Sequence, residues 1–348
     1  ATVSAPSATD RTTSHRFPAP RSPYRRREVL EVCEVGPHRQ DRVVSTDRIA
    51  AELRRPLRWV PPIPLHRPRL LRLLQRLSRR GRPATVDGVR STTHPGPPLL
   101  RVHVPDHRTT PAALLWFHGG GLVLGSPMID DVRCGELAAD LGIVVVSVDY
   151  RLAPGDPFPA ALDDCQDGWT WLQDAAGRLE VDPARIAVGG ASAGGCLAAA
   201  LVQRLHDEGG PQPVAQWLVY PMLDDRTAAR RELDRPPHRV WNNRNNEVSW
   251  RAYLGRPPGT GEPAPYAVPA RRADLSGLPP AWIGVGDVDL FHDEDITYAR
   301  RLREAGVPVE LDVVPGAPHG FDGWGKGVAI ADDFTGRSVA WLRGALGS

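Results

Sequence analysis

The 348 residues carry 43 basic and 41 acidic side chains, a net charge of +2, so the chain has length for one large core plus an appendage and no strong overall charge. No apolar run approaches transmembrane length, and the N-terminus lacks the apolar core of a signal peptide. Cys33, Cys134, Cys165 and Cys196 show neither CxxC nor zinc-ligand spacing, which excludes a zinc framework and fits reduced, mostly buried thiols of a cytoplasmic protein. Residues 1–40, rich in Ser, Thr, Pro and Arg, read as a disordered or non-native leader. Residues 1–82 carry a net charge of +12 and the remainder −10, so a basic arm for nucleic acid or an anionic membrane is one reading. Lys326 is the only lysine, however, and arginine in place of lysine throughout points to coding bias. Neither a nucleic-acid partner nor a stable membrane anchor is expected. Within residues 41–85, a proline-broken stretch (Pro56, Pro61, Pro62, Pro64, Pro68) runs into Leu70, Leu71, Leu73, Leu74 and Leu77, an amphipathic helical spacing.

From Val86 the pattern alternates between strands and helices. Leu99–Val104 and Ala112–Phe117 read as strands, and the second runs into His118-Gly119-Gly120-Gly121. Consecutive glycines let backbone N–H groups turn toward a developing oxyanion without side-chain obstruction, as the HGGG loop of esterases and lipases does. A flexible turn or a phosphate loop is the alternative, but neither G-x-x-x-x-G-K-[ST] nor G-x-G-x-x-G spacing is present. His118 is read as structural, holding the glycine loop through backbone bonds. A helix over Asp131–Leu141, a strand over Ile143–Asp149 and a helix over Ala160–Ala175 follow.

The strand-like Arg185–Gly189 then meets Gly190-Ala191-Ser192-Ala193-Gly194, which fits G-x-S-x-G, and a helix is expected over Ala193–His206. A serine in that strand–turn–helix setting is held in a tight turn, its hydroxyl clear of the sheet and beside a helix N-terminus. Ser192 is the expected nucleophile, with the Ala193 N–H as a further oxyanion donor. A bland glycine-rich turn is the alternative. Strands are expected over Val214–Tyr220, Ala281–Gly286 and Val309–Val314, with a helix over Phe291–Ala305. Residues 223–280, rich in Arg, Asn, Pro and Trp, interrupt the alternation. Strands with intervening helices make an α/β fold, a mostly parallel central sheet in a three-layer sandwich.

With HGGG, the G-x-S-A-G-G run and Asp149-Tyr150-Arg151-Leu152-Ala153-Pro154 followed by Phe158-Pro159-Ala160-Ala161, the chain from about Leu99 onward resembles the hormone-sensitive-lipase branch of the α/β-hydrolase superfamily. Gly155 stands where the family run carries Glu, and Ala191 where many members carry Asp or Thr. The resemblance implies an α/β-hydrolase catalytic domain over residues 86–348, with a helical cap built from residues 41–85 and the insertion at about 223–280. Leu side chains and Trp59 of the first cap segment could line the acyl entrance, or the leucines could simply pack on the core. In this fold the triad runs Ser, acid, His. His319, in a Gly/Pro-rich loop after a strand and followed by Gly320-Phe321, matches the family histidine. Aligned to the family's DPLxDE, Asp289 takes the acid's place, with Asp287 as the rival. Leu290 replaces the usual proline, and Asp293 and Glu294 read as first-turn carboxylates facing a helix dipole.

The expected site is therefore Ser192, His319 and Asp289, with the N–H groups of Gly120, Gly121 and Ala193 on the oxyanion and Gly119 shaping the loop. The expected activity is hydrolysis of short- to medium-chain carboxylic esters through an acyl-enzyme, with no metal and no organic cofactor. A lactone hydrolase or a deacetylase of an acetylated metabolite would use the same triad. A non-catalytic small-molecule receptor on the same fold is the alternative from another class. The motifs leave open whether the chain forms a homodimer.

Overall fold

The structure, a computed structural model, describes residues 48–347 apart from 62–63, 79–82 and 236–237. The expected leader at 1–40 lies outside these residues.

Among the described residues, eight strands form one sheet: β1 (Val89–His94), β2 (Leu99–Pro105), β3 (Ala113–Phe117), β4 (Val144–Asp149), β5 (Ile186–Ala191), β6 (Gln216–Val219), β7 (Ala281–Gly286) and β8 (Val309–Val314). Their spatial order is β1-β2-β4-β3-β5-β6-β7-β8. β1–β2 and β2–β4 are antiparallel pairs, and the pairs from β4 through β8 are parallel. The inner strands β3, β5 and β7 are buried at every residue, as expected where helices cover both faces.

The layers follow from side-chain alternation. Ala113, Leu115 and Phe117 of β3 join one core. That core takes Leu162, Cys165 and Trp169 of α4 (Ala160–Ala175), the inner residues of α5 (Ala193–Glu208), and Tyr298, Ala299 and Leu302 of α7 (His292–Glu304). Leu114 and Trp116 point the other way, into a core with Cys134, Leu137 and Leu141 of α3 (Asp131–Leu141), Phe321 of the short α8 (Phe321–Trp324), and Phe334 and Leu342 of α9 (Ala329–Leu346). Leu53 and Leu57 of α1 (Ala51–Leu57) join this second core, whereas Leu71 of α2 (Pro68–Ser78) joins the first. The N-terminal segment therefore serves both faces of the sheet. Gln75 of α2 fixes it in place, donating from its amide to the Val123 and Ala153 carbonyls, each at 2.9 Å.

Several boundaries are set by local chemistry. Gly142 and Gly209 adopt left-handed conformations (φ 64° and 70°) at the ends of α3 and α5, where a side chain would be strained. The edge strand β1 (VRSTTH) is largely exposed and takes its register from β2.

Between β6 and β7 the chain leaves the sheet, passing among the described residues through three 3₁₀ turns and α6 (Asn243–Leu254). The two ends of this excursion meet: Ala270 N donates to Leu223 O at 3.2 Å. Both are fastened to the layer beneath. Glu294 of α7 accepts from Leu223 N and Asp224 N, at 2.6 and 3.1 Å. Gln203 of α5 donates to Pro269 O at 3.0 Å.

Candidate active site

β5 ends at Ala191 and α5 begins at Ala193, so Ser192 carries the whole reversal between them. Its φ of 56° and ψ of −114° lie in a region that non-glycine residues rarely occupy, the strain expected of a serine raised on a sharp strand-to-helix turn. The turn is possible because Gly194 passes against the end of β3, where a Cβ would run into the Phe117 carbonyl oxygen.

The strand ends bring three side chains together. Ser192 Oγ lies 2.9 Å from His319 Nε2, and His319 Nδ1 lies 2.8 Å from Asp289 Oδ2. With Nδ1 bearing the proton and donating to the carboxylate, Nε2 is left to accept from the serine hydroxyl. Asp289 Oδ1 accepts from Phe291 N at 3.0 Å, which orients the carboxylate. All three residues are buried, with 5–6% exposure, so their hydrogen bonds are shielded from water. Tyr220 and Phe291 pack edge-on to the His319 ring, at centroid distances of 4.8 and 5.1 Å. Tyr220 is itself held by its hydroxyl, which donates to Asp322 at 2.6 Å. The rival carboxylate faces elsewhere: Asp287 Oδ1 accepts from Gly316 N at 2.6 Å, tying the end of β7 to the loop that carries His319.

The glycine loop after β3 passes over this centre. Gly120 and Gly121 have φ of 124° and 63°, and Gly119 approaches Ala191 O and the Ser192 side chain. The N–H groups of Gly120, Gly121 and Ala193 donate to no backbone carbonyl or side chain among the described residues, which leaves them available to an oxyanion. His118 stays out of the centre. It is fully buried, its Nδ1–H donates to Gly119 O at 2.7 Å, and it stacks on Tyr150, whose hydroxyl donates to His118 O at 2.7 Å. Burial lowers its pKa to about 4, so the ring is neutral and serves the loop's shape.

Trp241 and Ser249 had no motif to reveal them. A side chain on Gly121 would overlap the Trp241 ring and come within 2.8 Å of Ser249 Oγ, so both residues pack on the glycine loop. The Trp241 ring centroid also lies 6.4 Å from that of His319. A tryptophan in an Arg/Asn-rich stretch was the only sequence signal for this contact.

Beneath Asp289, two further carboxyls are buried at the start of α7. Glu294 has the backbone partners described above, but both oxygens of Asp295 lack a hydrogen-bond partner. Burial, followed by the charges of Glu294 and Asp289, pushes Asp295 well above the usual carboxylate range. In the unfolded chain it ionises near pH 4. Between that pH and its folded pKa the folded state holds one proton more, so Asp295 lowers stability as pH rises. The amide in Asp295→Asn does not titrate, so the Tm of this variant relative to the parent should climb as the pH rises above about 4. A difference independent of pH, measured by calorimetry, would mean that Asp295 ionises alike in both states.

No group of His, Cys, Asp and Glu among the described residues could hold a metal ion. No helix among them is long and apolar enough to cross a membrane.

The family model for the alpha/beta hydrolase fold matches residues 114–323. The chain is 38% identical over 244 residues to esterase LipI of Mycobacterium tuberculosis, covering 70% of this chain and 75% of that protein. It is 35% identical over 258 residues to an ethyl acetate hydrolase of Pseudomonas putida, covering 72% and 80%. Among solved structures it resembles a bacterial heroin esterase at a TM-score of 0.79 and 34% identity, covering 86% of this chain and 99% of that one. With its HGGG and G-x-S-A-G-G motifs on one site, the chain belongs to the hormone-sensitive-lipase-like branch of the alpha/beta hydrolase family.

Proposed function

We propose that this protein is a serine carboxylesterase acting on small esters through an acyl-enzyme. The observation that carries the reading is the continuous Ser192–His319–Asp289 hydrogen-bond chain beside unused N–H groups. Ser192 Oγ attacks the acyl carbonyl while His319 Nε2 takes its proton. Asp289 stabilises the imidazolium and holds its orientation, and the N–H groups of Gly120, Gly121 and Ala193 receive the oxyanion, with Gly119 setting the loop's path. Collapse of the tetrahedral adduct expels the alcohol, which is protonated by His319. Water, deprotonated by the same imidazole, then attacks the acyl-serine, and the second tetrahedral adduct collapses to release the carboxylic acid as His319 returns the proton to Ser192 Oγ. Relatives named esterase, carboxylesterase and ethyl acetate hydrolase support the ester class.

We assign the described part of residues 41–85 and the excursion at about 223–280 to a cap over this centre, a reading supported for the excursion by Trp241 lying near both Gly121 and His319, and for the first segment by Ala50 N donating to Gly316 O of the loop that carries His319. The buried, free thiols Cys134, Cys165 and Cys196 support a reducing compartment, the cytoplasm.

A roof packed this closely favours small acyl groups, because each added CH₂ helps only until the pocket is full. On a series of p-nitrophenyl esters, kcat/KM should peak at about two to eight acyl carbons and fall beyond. Fastest turnover on long-chain triglyceride emulsions, with a jump in rate at the interface, would overturn this reading.

A further inference from the structure

The inner face of α6 carries polar groups that the proposed hydrolysis does not use. Asn246, Ser249 and Tyr253 recur at helical spacing on one face. Asn246 and Ser249 are fully buried. Neither the Asn246 Nδ2 nor its Oδ1 has a hydrogen-bond partner, and the same holds for Ser249 Oγ, Tyr253 OH and the Trp241 indole N–H. Such groups give up their hydration on folding and, left unpaired, destabilise the fold, so a buried stripe of them calls for something that bonds to it.

The position of the stripe indicates what that partner is. Ser249 Oγ and the Trp241 ring lie directly against Gly121, whose N–H is one of the proposed oxyanion donors. Ser249, the middle of the three, therefore stands beside the proposed oxyanion donors, with Asn246 one turn before it along α6 and Tyr253 one turn after. Asn246 and Ser249 can each donate and accept, and Trp241 donates, so together they complement a hydroxyl or keto oxygen better than a hydrocarbon chain.

Resting on the esterase reading, we propose that α6 forms a polar subsite for an oxygen substituent on the acyl part of the substrate, a hydroxyl or keto group on the carbon α or β to the scissile carbonyl. A plain alkanoyl group in the same place would leave Asn246 and Ser249 unpaired, and this difference selects between the two classes of ester.

The test compares p-nitrophenyl 3-hydroxybutyrate with p-nitrophenyl butyrate, for the parent and for Asn246→Leu and Ser249→Ala. The parent should favour the hydroxyacyl ester by about 10- to 100-fold in kcat/KM, the range one or two well-made hydrogen bonds supply. Asn246→Leu, close in volume, should erase the preference mainly through KM on the hydroxyacyl ester while keeping or raising turnover of butyrate. Ser249→Ala should reduce the preference in the same direction, and it gives a readout should Asn246→Leu fold poorly. If the parent hydrolyses both esters alike, or the variants lower both equally, water alone satisfies these groups and the subsite is refuted. Should the parent cleave no ester of the wider series, the esterase reading itself fails; good turnover of butyrate without preference leaves that reading standing and removes only the subsite.

Discussion

Ser192→Ala should lower kcat by about 10⁴-fold or more on any ester the parent cleaves, because members of a triad fail as a unit. The substitution removes one oxygen at a backbone position already strained, and the contacts of Gly194 with the end of β3 are unaffected, so the circular dichroism spectrum should match the parent's. The variant keeps the N–H donors of the glycine loop, which accounts for the residual rate expected over water. A fluorophosphonate should label the parent at Ser192 and leave the variant unlabelled. Undiminished labelling of the variant would locate the nucleophile elsewhere.

Asp289→Asn should cost up to about 10⁴-fold in kcat with the fold retained. The asparagine oxygen can still accept from Phe291 N, so the loop keeps its path, but an amide cannot offset the imidazolium charge and can stabilise the wrong tautomer of His319. Asp287→Asn retains an oxygen for Gly316 N and should lose only the few-fold expected from a weakened backbone hydrogen bond of about 1 kcal/mol. The two variants, assayed side by side with circular dichroism as the control, separate the residues. Greater damage from Asp287→Asn in a folded protein would reverse the assignment.

The contrast between these aspartates marks how far the sequence could be read. β7 and β8 were legible to the residue: β7 is a continuous buried apolar run, whereas β8, VELDVV at the edge of the sheet, alternates acidic and apolar residues, and the chain breaks sharply beyond both. α3 and α4 were legible for a comparable reason, their apolar period being regular. β1 passed unread since its VRSTTH is mostly exposed and is a strand only through its pairing with β2. α9 was also missed, although Ala331, Phe334, Ser338, Leu342 and Leu346 face inward at helical spacing, because small and polar residues dilute the signal. In the site, Ser192, the glycine loop and His319 sit in motifs because their chemistry demands fixed residue types on fixed backbone shapes. Which of two aspartates two residues apart turns toward His319 depends on the path of a loop. The contact between Trp241 and Gly121 was hidden for a different reason: the two lie 120 positions apart in the chain, and nothing local in either stretch encodes their meeting.

The hydrogen bond between Ala270 N and Leu223 O, with both ends of the excursion fastened to α5 and α7, has a bearing on how such a protein diversifies. Because entry and exit lie side by side, the intervening chain spans no distance that the sheet depends on, and the closure entropy of such a loop changes slowly with its length. Recombination or design could exchange this stretch as a cassette, keeping Leu223, Ala270, Gln203 and Glu294 as the seam. Chimeras cut at that seam should inherit the hydrolytic centre from one parent and the choice of ester from the other, whereas cuts made inside the excursion would divide Trp241 from the helix that shares its contact with Gly121.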